Sequence, residues 1–305
     1  MHLHKLFAKD VPIQGRLVRD SEFESLGYVT HRINSRPFLA VAANERFLGV
    51  AIQNPKVSAI LTSDNLAAQV PENLGLIASP AALHDFYRLH HHLMDATDLY
   101  VQDYATRIDP SARIAASARI AERRVSIGAR TVIEEGVVIG ERSSIGDDCV
   151  IRANTVIGSE GFEFKKLDGN LVFIRHAGGV SIDHGVRIHA GCMIDKGLFR
   201  DPTRIGEGSC LDNLVHVAHG VQIGRQCIIA ANAVLAAAVI VGDGARIDPN
   251  ATVAHEIEIG QNAYVSMGAA VASNVAANAR VSGNFAYDHA DFVRNFVATR
   301  SRRKR

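Results

Sequence analysis

An aliphatic residue recurs at every sixth position from Ile205 to Val271, through Leu211, Val217, Ile223, Ile229, Leu235, Val241, Ile247, Val253, Ile259 and Val265. Two residues before each stands a side chain that is mostly small, among them Ser209, Cys227, Ala233, Ala245 and Ala263. This period fits neither a helix face, which repeats at about 3.6 residues, nor a plain sheet, which alternates in twos. Short strands joined by tight corners satisfy it, with large and small residues alternating inward and each coil covering the next. The spacing predicts a mainly β chain wound as a parallel β-solenoid.

The same period begins at Ile108, Ile114 and Ile120, slips by one residue, and runs through Ile127, Ile133, Ile139, Ile145, Ile151 and Ile157. It stops for residues 158–179, resumes at Ile182, Ile188 and Ile194, and breaks again over residues 195–203. A long excursion from a regular solenoid is either a hairpin decoration or a binding loop. Exposed loops on rigid scaffolds carry function, which favours the second.

The first hundred residues lack the period. Residues 15–26 are polar and turn-rich, Phe38 to Ala43 and Ala59 to Thr62 are short apolar runs of strand type, and Pro80 to His90 reads as a helix with Ser79 as its N-cap. Three parts are expected: a small α/β domain over 1–100, the solenoid over 101–285, and a short terminal helix with a basic tail over 286–305. The triplet His90-His91-His92 reads as a solvated helix end rather than a metal site, because adjacent helical positions point in different directions.

Composition sets limits. The 305 residues suffice for two domains, and 47% hydrophobic content supports a sizeable core. A formal net charge of +1 gives no global pull towards nucleic acid or an anionic membrane. No apolar run approaches a membrane span, and the opening MHLHKLFAKD lacks the apolar stretch of a signal peptide, so a cytoplasmic location is expected. Cys149, Cys192 and Cys227 occupy the small inward slot, which predicts buried packing rather than disulfide or metal chemistry.

Chemistry is expected where the repeat carries residues a coil does not need. His216 and His219 flank the inward Val217, with Asp212 and Asn213 one hexad earlier. Three hexads make one triangular turn, so residues three hexads apart stack roughly 4.8 Å apart. Ala237 then falls directly over His219, and His255 lies two turns away, on the order of 10 Å along the axis.

Several ordered motifs resemble the hexapeptide-repeat acyltransferases, most closely the UDP-3-O-acylglucosamine N-acyltransferases of lipid A biosynthesis. They are Ile157-Gly-Ser-Glu-Gly-Phe162, Met193-Ile-Asp-Lys-Gly197, and Asp212-Asn213 followed by Val217-Ala-His-Gly-Val-Gln-Ile-Gly224. The resemblance covers about residues 105–285, and more loosely the N-terminal domain. It implies a left-handed parallel β-helix of hexapeptide repeats, a homotrimer, and acyl transfer from a phosphopantetheine thioester to the amine of a nucleotide-linked amino sugar without a covalent intermediate. The donor would be an acyl carrier protein or acyl-CoA, acting as co-substrate. No tightly bound cofactor and no metal are implied.

By the same resemblance, His219 is the general base, Asp212 orients it, and the amide of Ala237, where the family favours Gly, holds the oxyanion. Asn213 and His216 join the substrate-binding set. The family's second histidine falls at Glu256, one residue after His255. Its uracil-binding pattern Phe-x-x-Asn-x-x-Tyr reads Val41-Ala-Ala-Asn-Glu-Arg-Phe47, which leaves Asn44 and Phe47 to hold a base. An acetyl-CoA-dependent nucleotide-sugar N-acetyltransferase is the alternative. More remote are a non-catalytic solenoid and a zinc hydratase built on His184 and His189, which lacks a third ligand where Asp148 stands.

Overall fold

The inward aliphatics of the period do form a coil. In the computed structural model, which describes residues 1–7, 11–31, 34–100, 102–283, 288–290 and 293–294, short strands stack in three parallel sheets of eight, nine and eight strands. The first face opens with Arg107–Ile108, the second with Arg113–Ile114 and the third with Arg119–Ile120. Each strand pairs with the one a full turn away, so that Val217 lies on Leu235 and Leu235 on Val253. The one-residue slip lies in the first turn, where Ile114 pairs with Ile133. The two interruptions appear as register jumps, from Ile157 to Ile194 and from Ile182 to Ile205.

From Ile127 to Val271 both sets of inward residues are buried, Ile257 apart, whereas the first turn is open, with Ile108 42% exposed. Ile229, Leu235 and Ile247 are fully buried, as are Cys149, Cys192 and Cys227 in their expected slots. Between strands the chain turns through one residue in the left-handed region, supplied by Gly220, Ala238 and Glu256 at successive turns of one corner.

The N-terminal part is an α/β unit. It runs α1 (Leu3–Phe7), β1 (Arg16–Arg19), β2 (Ser25–Gly27), β3 (Phe38–Ala42), α2 (Glu45–Gln53), β4 (Val57–Thr62), α3 (Asp64–Ala67), β5 (Gly75–Ala78) and α4 (Ala82–Ala96). The sheet order is β1-β5-β4-β3-β2, with only β1 antiparallel. The turn-rich stretch 15–26 thus supplies two edge strands.

Two local expectations change. Helix α4 starts at Ala82, not Pro80, because the Ser79 hydroxyl donates to Asp85 Oδ2 (2.6 Å) and accepts from the Ala81 N–H (2.9 Å), closing a turn ahead of the helix. His90 is fully buried rather than solvated: its ring nitrogens meet the Tyr100 hydroxyl (2.9 Å) and the Arg175 carbonyl (2.8 Å), and burial lowers its pKa to about 3. Helix α4 is therefore fastened to the end of the excursion. The expected terminal helix and basic tail over 286–305 lie mostly outside the described residues; His289, Ala290, Val293 and Arg294 are helical.

The excursion itself is a hairpin, Phe164–Leu167 against Asn170–Phe173. Its buried Leu167 and Ile174, with Leu198 and Phe199 from the second interruption, share one apolar cluster with Leu26, Phe86, Leu89 and Leu93 of the α/β unit. The breaks in the coil are thus the platform on which that unit sits.

Adjacent identical side chains separate the two faces of a strand. Ile229 is fully buried and Ile228 is 46% exposed, so Ile229→Ala should destabilise by about 2–5 kcal/mol and Ile228→Ala by under about 1 kcal/mol. Urea midpoints at unchanged m-value measure the difference.

Candidate active site

The platform leaves a cavity of about 440 Å³ between the α/β unit and one corner of the coil. One wall is apolar, formed by Val29, Val41, Ala43, Phe47 and Leu83. The opposite wall is ionisable, with Glu163 and Lys165 from the excursion and His219, His255 and Glu256 from the corner, joined there by Ala237.

Register explains that corner. Val217, Leu235 and Val253 stack, so His219, Ala237 and His255, each two residues further on, come up in line. Glu256 lies beside them at φ +59 and reaches the α/β unit, accepting from the Thr30 hydroxyl (2.7 Å) and pairing with His31 (3.3 Å). The His31 hydrogen bond is the main reason its carboxyl falls to about 2. The N–H groups of Ala236 and Ala238 bond to Val253 and His219 carbonyls, whereas that of Ala237 makes no hydrogen bond among the described residues. A backbone donor so placed can meet a developing oxyanion.

His219 is 5% exposed. Burial first, and then the neighbouring His176, lower its pKa to about 4, against an opposing pull from Glu163. A neutral imidazole at pH 7 is ready to accept a proton. The His176 ring meets it edge-on at 5.0 Å. A Cβ at Gly161 would stand 2.6 Å from His176 Nε2 and 2.9 Å from His219 Cδ2, so only glycine lets the excursion lie on both rings. Nδ1 of His219 and Nε2 of His176 are buried without a hydrogen-bond partner among the described residues.

Around this pair runs a network that the sequence reading missed. Tyr28 shares a hydroxyl–hydroxyl bond with Tyr87 (2.9 Å) and donates to Glu163 Oε1 (2.8 Å). Lys165 Nζ lies 2.7 Å from the same oxygen, and Glu163 Oε2 stands 3.7 Å from His219 Nε2. Burial opposes ionisation of Glu163, but the bonds from Lys165 and Tyr28 outweigh it and its pKa is lowered. Glu160 accepts from the His176 N–H (2.9 Å) and from Lys196 (2.6 Å). Burial works against it too, yet those bonds hold its carboxyl at about 2. The one sequence signal for these residues was the excursion, which packs Glu160, Glu163, Lys165 and His176 into a segment with no place in the repeat.

Of the expected site residues, His219, Ala237, Phe47, His255 and Glu256 line the cavity. Four do not. Asp212, expected to orient His219, lies at the preceding corner, one strand back. There it accepts from the Asn213 N–H and side-chain amide (both 2.8 Å) and stands 3.7 Å from His189. Asn213 caps that corner by accepting from the Ala190 N–H (3.2 Å). His216 projects from the outer face of its strand and pairs with Asp195 (3.3 Å), whose hydrogen bond raises its pKa. Asn44 caps α2, its side chain accepting from the Phe47 N–H (3.1 Å). His184 and His189, the histidines of the zinc alternative, sit at different corners, before and after the strand Arg187–Ile188.

Residues 124–159, 202–237 and 238–273 match the bacterial transferase hexapeptide family (six repeats). The coil is thus a left-handed parallel β-helix of hexapeptide repeats, the fold shared with UDP-N-acetylglucosamine acyltransferase from Campylobacter jejuni (TM-score 0.50, 20% identity, 62% of this chain and 80% of that one). Among curated proteins, the chain is 47% identical over 91 residues to a UDP-3-O-acylglucosamine N-acyltransferase of Maricaulis maris, covering 30% of this chain and 26% of that protein. Over 221 residues it is 30% identical to the protein of the same name from Methylobacillus flagellatus, covering 62% and 63%. It thus spans about a quarter of the first relative's length and under two thirds of the second's. Among the described residues, no helix is long and apolar enough to cross a membrane.

The Glu160 network links site and stability. Its folded pKa of about 2 lies below the usual 4.5, so its contribution is present above pH 4.5 and is lost as the pH falls towards 2. Glu160→Gln should be less stable than wild type at neutral pH, with the gap closing over that window. Urea titrations at stepped pH measure it.

Proposed function

We propose that the protein is an N-acyltransferase. It moves an acyl group from a phosphopantetheine thioester, carried by acyl carrier protein or CoA, to the amine of a nucleotide-linked amino sugar. The observation that carries this reading is the meeting, in one cavity, of a neutral buried imidazole at His219, an unused backbone donor at Ala237 and an apolar wall ending in Phe47. The names of the two curated relatives support it.

In the reaction, the amine nitrogen attacks the thioester carbonyl, whose oxygen becomes an oxyanion facing the Ala237 N–H. His219 Nε2 takes a proton from nitrogen and returns it to sulfur as the carbon–sulfur bond breaks. The thioester is already activated, so no enzyme nucleophile and no covalent intermediate is needed. Residues 1–100 serve as the nucleotide-sugar-binding domain, with Phe47 and its apolar neighbours against the base. Residues 101–285 are the acyltransferase domain. We also propose that the chain acts as a cytoplasmic homotrimer, whose neighbouring copies bring Asp212, Asn213 and His216 towards the same cleft.

A screen crossing acetyl-CoA, longer acyl-CoA and acyl carrier protein donors with amino-sugar nucleotides tests this reading; no transfer from any pair overturns it. His219→Ala should lower kcat by about 10²-fold or more. NMR titration of the wild-type imidazole should give a midpoint near 4. Phe47→Ala should raise the nucleotide-sugar KM while leaving kcat nearly unchanged.

A further inference from the structure

The two oxygens of Glu163 have different surroundings. Oε1 is occupied by the Tyr28 hydroxyl (2.8 Å) and by Lys165 (2.7 Å). Oε2 faces His219 Nε2 across 3.7 Å, beyond hydrogen-bond length, and accepts no hydrogen bond among the described residues. With its proton on Nδ1, as a general base requires, His219 also presents a bare acceptor at Nε2. Two acceptors thus converge on one point of the cavity with no donor between them. Desolvated acceptors left in this way are costly unless the ligand brings the hydrogens.

We infer that Glu163 selects a primary amine over a hydroxyl as the acyl acceptor, the amine donating one hydrogen to Glu163 Oε2 and the other to His219 Nε2. The inference rests on the acyltransferase reading and specifies its substrate class. A nitrogen held by both hydrogens has its lone pair pointing away from the two acceptors, the direction in which a thioester carbon can be attacked. A hydroxyl carries one hydrogen and leaves one of the two acceptors unpaired. Sites built to bond a particular N–H or O–H reject analogues that lack it far more strongly than apolar pockets reject a methylene.

The step balances. The nitrogen–carbon bond forms, the carbon–sulfur bond breaks, and one proton passes from nitrogen through His219 to sulfur. The second N–H stays in the product amide, still donated to Glu163. Oε1 is held by Tyr28 and Lys165 throughout, so the carboxylate does not turn away.

UDP-glucosamine and UDP-glucose, which differ in an amine or a hydroxyl at one carbon, are suitable probes for calorimetric titration. The wild-type protein should prefer the amine by about tenfold or more, the scale of a hydrogen bond to a charged group. In Glu163→Gln the side-chain oxygen remains with Tyr28 and Lys165, which turns the amide NH₂ towards the seat, so the preference should collapse. Glu163→Ala removes the acceptor outright and should give the same result, with melting curves reporting whether each variant is folded. Equal affinity for the two probes in the wild type overturns the inference without any variant, and so does a preference retained in both variants. If the wild type binds neither probe and acylates no amino-sugar nucleotide, the acyltransferase reading falls and this inference with it. Transfer activity together with an unchanged preference sinks the inference alone.

Discussion

The hydrogen-bond ladder between successive turns is the constraint from which the rest follows. It fixes each strand residue on the residue one turn away, as Val217 is fixed on Leu235 and Leu235 on Val253. Buried aliphatics enforce that register, since a slip by one would turn every inward side chain to solvent. Corners inherit the same order. At one of them Gly220, Ala238 and Glu256 take the left-handed conformation in turn, although only the first is glycine. The ladder on both sides over-determines that backbone, which is how residues with a Cβ persist there. Because the corner is rigid, the residues just before it, His219, Ala237 and His255, are presented in line without support of their own.

A regular coil alone cannot enclose a site, because its side chains point either into the core or out into solvent. Enclosure comes from the two breaks in the period. Gly161 lays the excursion on the rings of His176 and His219, and the hairpin then carries Glu163 and Lys165 over the corner. The α/β unit completes the lid through Tyr28 and Tyr87. Charge is arranged to suit the low dielectric: Lys165 offsets Glu163 and Lys196 offsets Glu160, so neither carboxylate is buried without a cation. Burial then acts on His219 without a strong local charge to reverse it, and leaves the imidazole neutral.

What the sequence disclosed was whatever the period could measure. The inward ladder, the buried cysteines, the slip after Ile120 and the alignment of His219 with Ala237 and His255 all follow from counting. One hexad is one corner, so Asp212 and Asn213, close to His219 in number, lie a face away from it within the same chain. Asn44 kept its place in a recognisable pattern while its side chain went to capping α2. Contacts between non-periodic segments left no trace. Tyr28 and Glu163 are 135 residues apart and meet only because the hairpin folds back beneath the α/β unit. His90 reads in sequence as one of three surface histidines, yet the Arg175 carbonyl, 85 residues away, lies against its ring.

The division of the cavity into an apolar and an ionisable wall bears on how the two parts of the chain work together. A ligand that spans the cavity from Phe47 to His219 is held by elements far apart in sequence. The distance between those elements must stay fixed, because a displacement of about 1 Å at the reacting atoms can cost about 10²-fold in rate. Three kinds of contact fix it: the shared apolar cluster from Leu26 to Phe199, the His90 bridge to Arg175, and the Glu256 bonds to Thr30 and His31. The last of these lies in the cavity wall itself, one residue from His255. The left-handed corner at Glu256 therefore has a second use beyond turning the chain: it aims a carboxylate outward from the coil to hold the α/β unit's apolar wall in register with His219.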